Sequence, residues 1–224
     1  MPYVENRIVH DADSHLMELP DCLDAYFDPK RKADYHALPS FQHKLGEAGW
    51  ADQARARQRD EAFRGDGDSN ILLRKNYEAM GAFDRSDRPH ALDLLGFASQ
   101  LVFTTFCLGN FGLDQGKDAD LAYAAAQAHN RMMTDFCAID RRFLATAYVP
   151  LTDFERARQI AKEAIELGAR LCWFPAWSRT IIPQVISTST SSGPRRRKRA
   201  SRSSSTSAAR KRSIPPISRT VCPA

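Results

Sequence analysis

Along residues 1–178 the apolar positions switch between two spacings. Ile8 to Ala12 is a short apolar run that ends in acids, and LVFTTF (101–106) is β-branched and aromatic. FLATAYVPL (143–151) stops at proline, and ARLCWFPAW (169–177) is a further compact run. These four, bounded as 7–13, 101–106, 143–151 and 169–177, predict buried strands. Between them the period lengthens. Lys117 to Ile139 is alanine-rich, free of Pro and Gly, and carries Leu121, Ala125, Ala128, Met132 and Phe136 on one stripe, so it predicts the clearest helix. Thr152 and Asp153 offer cap side chains to a second helix, which has Glu155 in its first turn, runs to Leu167 and closes at Gly168. Asp87 to Gly96 reads as a short helix with a glycine stop, and residues 20–35 as short helices. Gly46 to Gly65, with weak apolar periodicity, reads as a surface insertion. Strand, helix, strand, helix, strand is the βαβ pattern of a parallel sheet. After Trp177 the alternation stops.

Charge divides the chain at the same place. Of 32 Lys and Arg, 11 fall between Arg179 and Ala224, where there is no Asp or Glu. Residues 1–178 therefore hold 21 basic against 27 acidic groups, a balance of −6. The chain's overall +5 belongs to its last segment, and the body has no basic footprint of the kind nucleic acid requires. Five cysteines lack any C-x-x-C pair, which predicts free thiols in a reducing compartment. The opening MPYVENRIVHDADSH has no apolar signal core, and no run approaches 18 apolar residues. The expectation is a cytoplasmic protein with no membrane span.

The sharpest chemical feature is DADSHLME, residues 11–18, at the end of the first predicted strand. Asp13 and His15 are two apart, so on an extended backbone both point to one face. A carboxylate and an imidazole converging there can hold a divalent metal, with Asp11 on that face as a further carboxylate. The alternative is a polar turn whose Asp and Ser cap backbone amides. His10 reads as a strand residue facing core or barrel wall. His129 and Asn130 read as polar contacts orienting a helix, Cys107 as a thiol with no histidine partner, and Trp173 and Trp177 as packing. DGDSN (66–70) lacks the glycine and closing glutamate of a calcium loop and reads as a turn.

RIVHDADSHLMELPD (7–21) resembles the first-strand motif of the amidohydrolase-related family, metal-dependent (β/α)8 barrels that include aminocarboxymuconate-semialdehyde and resorcylate-type decarboxylases. AHNRMMTDFCAIDRRFLATAYVPLTDFERA (128–157) and AKEAIELGARLCWFPAW (161–177) resemble later units of the same family. The resemblance spans most of residues 5–177, least at 40–75. It implies the N-terminal half of a TIM-type barrel and a hydrolase or decarboxylase acting on a small carboxylate or carbonyl substrate. Asp13 and His15 would stand in the place of the family's His-x-His or Glu-x-His metal pair, holding Zn or Mn. The family's later ligands, a His after a middle strand and an Asp after the last, have no counterpart. Every His other than His15 lies at or before position 129, and no acid follows Glu166. Weak metal binding and an inactive chain are the expectations that follow.

The last segment, 179–224, is Arg/Ser-rich and reads as a disordered tail. Re-read from the third base of each codon, with the first base of each new codon free, Ile182 to Ala209 can be read as an amphipathic helix with a glycine stop and a buried strand ending in His and glycines. That string resembles the next α/β unit of the family, so the tail is expected to be frame-shifted sequence behind a partial barrel of residues 1–178. The competing reading is a non-enzymatic binding protein whose RRRKR run (195–199) grips nucleic acid or an anionic surface. On the preferred reading the partners are a small-molecule substrate and, as an open option, further copies of the chain; nucleic acid and membrane are not among them.

Overall fold

The computed structural model describes residues 2–38, 49–107, 113 and 118–175. Statements about the tail, the frame shift and Trp177 lie outside these residues. The described chain is a mixed α/β structure built on a four-stranded sheet in the order β1-β2-β3-β4. Its strands are β1 (His10–His15), β2 (Ser99–Phe103), β3 (Phe143–Tyr148) and β4 (Leu171–Trp173), all paired in parallel. Helices α1 (Pro29–His36), α2 (Trp50–Arg59), α3 (Glu61–Ser69) and α4 (Arg88–Leu95) lie between β1 and β2. Helix α5 (Ala119–Cys137) joins β2 to β3, and α6 (Phe154–Glu166) joins β3 to β4.

Four of these six helices begin at an aspartate whose side chain caps them. Asp28 accepts from the amides of Lys30 and Arg31, with Pro29 at the first helical position of α1. Asp60, Asp118 and Asp153 do the same for α3, α5 and α6, accepting from the amides of Phe63, Leu121 and Arg156. Of the two expected cap residues at 152–153, Asp153 takes the role. Helix α4 ends at Gly96 with φ 73°, and a Cβ there would stand 2.3 Å from the Val4 carbonyl oxygen. Only glycine lets the N-terminal segment cross so close.

One face of the sheet is covered. Val102 and Ala145, register partners on β2 and β3, pack with Leu92 of α4 and with Met132, Met133 and Phe136 of α5. A second cluster, Tyr123, Ala126, Tyr148, Val149, Ala157 and Ile160, seats α6 against α5 and the end of β3. The Asn130 side chain reaches across to accept from the Tyr148 amide at 2.8 Å and donate to the Tyr148 carbonyl at 2.9 Å. It orients helix against strand, and His129 Nδ1 contacts its Oδ1 at 3.0 Å.

Several boundaries differ from the sequence reading. β1 begins at His10, because Ile8 is 81% exposed and stays outside the core. β2 ends at Phe103, where Thr104–Phe106 turn away onto a buried carboxylate. β3 ends at Tyr148 and β4 covers only three residues. Most of the supposed surface insertion at 46–65 is regular: α2 and α3 follow each other directly across the Asp60 cap. Residues 66–69 of DGDSN belong to the end of α3, where Asp66 accepts from Asn70 and Arg74 rather than lining a turn. His10 is exposed and its Nδ1 meets Ser99 Oγ at 2.8 Å, so it faces neither core nor wall.

Candidate functional site

Asp13 and His15 lie at the C-terminal end of β1, the end where open parallel sheets and barrels place their ligands. The strand carries a bulge between Asp11 and Ser14: three residue steps on β1 match two on β2, from Gln100 to Val102. The extra residue breaks the simple alternation. Asp11 pairs with Gln100 while His15 pairs with Phe103, so Asp11 shares the Gln100 face and His15 the opposite one. Asp11 is spent locally, its Oδ1 accepting from the Asp13 amide at 3.1 Å and its Oδ2 from Gln100 Nε2 at 3.3 Å. The expectation of a third carboxylate beside the pair is therefore corrected. Asp13 Oδ1 itself stands 3.4 Å from His15 Nε2.

The imidazole is held from behind. His15 Nδ1 lies 3.0 Å from the Thr104 carbonyl oxygen and 3.1 Å from Thr105 Oγ1. A carbonyl can only accept, so Nδ1 carries a proton and Nε2 is the nitrogen that faces Asp13. A carboxylate oxygen and an imidazole nitrogen at that distance can share a proton or a cation. The ring leans on Phe103, with centroids 6.1 Å apart. The His15 side chain is 39% exposed and Asp13 89%, so the pair opens to solvent. Among the described residues, no group of three or more His, Cys, Asp or Glu is arranged to hold a metal ion.

Two buried charged residues support this strand end. Glu18, 1% exposed, accepts from Thr104 Oγ1, from the Thr105 amide at 3.1 Å and from the Phe106 amide at 2.9 Å. Burial pushes its pKa up and these donors pull it back. Tyr77 donates to the Glu18 carbonyl at 3.0 Å and has its own pKa raised, first by burial and then by the Glu18 charge. Arg88, 6% exposed, donates to the His15 carbonyl, the Gly81 carbonyl, Ser14 Oγ and Gln100 Oε1 at 2.6–3.1 Å. Its hydrogen-bond partners are all neutral oxygens, and burial lowers its pKa. Neither residue stood out in the sequence. For Glu18 the one available signal is a carboxylate inside the apolar Leu16–Leu19 run; Arg88 looks like any helix-start arginine.

A cleft of about 650 Å³ lies elsewhere, between the loop after β1, helix α2, the approach to α4 and helix α5. Leu16, Phe83, Met132 and Phe136 give it apolar walls, and Arg55, Arg64 and Arg85 stand at it, each ion-paired with an aspartate. Neither Asp13 nor His15 lines it. Its Cys22 thiol is pushed well up, first by a hydrogen bond with Cys107 and then by burial, which leaves no ready nucleophile there. His129 is wholly buried, which lowers its pKa to about 4 and keeps it neutral in the fold. Trp173 packs against Tyr148 with ring centroids 5.0 Å apart and planes tilted by 56°, a packing role.

No family model matches the chain, and no curated protein matches it.

Proposed function

We propose that the chain carries part of a mononuclear metal site of the amidohydrolase-related type, with Asp13 and His15 as two of its ligands and a small carboxylate or carbonyl compound as the substrate class. The observation that carries this reading is the orientation of the His15 ring: a backbone carbonyl engages Nδ1, so Nε2 is turned to the Asp13 carboxylate, 3.4 Å away. Metal-binding histidines are commonly oriented in this way. The strand order adds support. Four parallel strands follow one another as neighbours in chain order, as in a (β/α)8 barrel, whereas doubly wound sheets reverse direction beside their ligand.

The donor set fits a divalent ion such as Zn or Mn in type, one oxygen and one nitrogen, though not in number. Such an ion, when bound, polarises a carboxylate or carbonyl or activates water. The chain's own residues hold the imidazole tautomer, leave the pair open to solvent and place Phe103 as an apolar wall beside it. With two ligands the affinity is low and hydrolysis or decarboxylation by this chain is correspondingly weak or nil. Titration of the protein with Zn or Mn, alongside an Asp13→Ala, His15→Ala double variant, is the test. Weak binding that the double variant abolishes supports the reading. Binding that is identical in both proteins overturns it.

A further inference from the structure

The Glu18 carboxylate sits three residues past His15 and 86 residues before Thr104, yet it is tied to both through one short loop. On one side Thr104 Oγ1 and the amides of Thr105 and Phe106 donate to it. On the other side of the same three residues, the Thr104 carbonyl and Thr105 Oγ1 accept from His15 Nδ1. The loop after β2 thus has its donors turned toward Glu18 and its acceptors turned toward His15. A peptide group cannot rotate one end without the other. Holding the Thr105 amide on the carboxylate therefore holds the Thr104 carbonyl, the other end of that peptide plane, on the imidazole.

We infer that Glu18 is a positioning residue for His15: by anchoring the Thr104–Phe106 loop it sets which imidazole nitrogen carries the proton and which faces Asp13. The inference rests on the proposed metal reading for its purpose, though not for its geometry. A carboxylate suits the task better than a neutral side chain, because it accepts from every donor the loop offers and donates nothing in competition. Its burial makes the anchor rigid, since no water can replace a lost donor cheaply. Remote support of a ligating histidine of this kind typically alters metal affinity by about 10- to 100-fold.

The test is nitrogen-15 NMR of the His15 ring in the full chain, its signal among the six histidines assigned by loss in His15→Asn. The native protein shows the Nδ1–H tautomer. Glu18→Gln keeps the shape but sets an amide N–H against the loop's own donors; the His15 signal then moves toward the Nε2–H form, and zinc affinity falls by about 10- to 100-fold. If Glu18→Gln does not fold, Thr104→Val breaks one link of the same chain without charge and decides the matter by the same shift, smaller in size. A folded variant with an unchanged His15 signature overturns the inference, whatever its zinc affinity. A shifted tautomer in a protein whose native form takes up no zinc leaves the positioning role standing and sinks the metal reading instead.

Discussion

Asn130 on α5 binds both backbone groups of Tyr148 at the end of β3, taking the place of a strand partner on a buried residue. A side-chain amide is the one uncharged group that can donate and accept at once in this spacing. Asn130→Ala strands an amide and a carbonyl in the core, which costs about 3 kcal/mol for the two. Asn130→Asp keeps the acceptor, loses the donor and buries a charge, and should cost at least as much. Urea denaturation of the two variants against the native chain measures both.

Acid should weaken the fold through His129. Its folded pKa is about 4, below the unfolded value near 6.5, so between those limits the unfolded chain binds the extra proton. The native state therefore has its full stability above about pH 6.5 and loses up to about 3 kcal/mol by about pH 4. His129→Gln removes this component of the slope. A stability profile over that window that is the same in both proteins would show that His129 contributes nothing.

Gly96→Ala meets two penalties together. The backbone is left-handed there, and the new methyl carbon would press on the Val4 carbonyl at 2.3 Å. A loss of at least about 2 kcal/mol is expected, exceeding the usual cost of a left-handed alanine. Gly168→Ala, at φ 107° with nothing within 4 Å, isolates the backbone cost alone and should lose less. Thermal melts of the pair separate the two contributions.

Among the described residues β4 bonds only to β3, and Leu171 within it and Phe174 just after it are 38% and 50% exposed. An unpaired edge with apolar neighbours favours self-association. Light scattering of the expressed protein should show concentration-dependent growth that Leu171→Lys reduces. A monodisperse monomer at high concentration would contradict this.

Residues 179–224 carry 11 basic groups and no acid. Deleting them should remove retention on heparin or polynucleotide at low salt, since the remaining body is acidic. Retention that survives the deletion would point to a basic surface within residues 1–178. Sequencing the gene around codons 176–182 checks the separate expectation of a shifted frame.

Where sequence and structure agree, the cause is local. Helix α5 was expected over 117–139 and occupies Ala119–Cys137, because an unbroken alanine-rich stripe and the Asp118 cap decide it within a few turns. The parallel βαβ order follows from the same short-range spacing. The differences come from contacts across long stretches of chain. The bulge that moves Asp11 off the His15 face exists only in register with Gln100 and Val102, some 89 residues away. The shortening of β2 answers to Glu18, whose partners lie more than 80 residues along. A two-residue spacing predicts a shared face for Asp13 and His15; it cannot say that Asp11 leaves it.

The buried guanidinium of Arg88 has a further consequence. It donates to the His15 carbonyl and Ser14 hydroxyl from inside the protein, with Asp11 reached only through Gln100. The guanidinium thus adds a positive contribution behind the strand end, opposite in sign to that of the buried Glu18 carboxylate. Its own contribution opposes a cation approaching Asp13 and His15 and favours a carboxylate. The two halves of the proposed chemistry are therefore tuned in opposite senses by one residue. Neutralising it would trade anion capture for cation affinity, if the fold survived the loss of four hydrogen bonds.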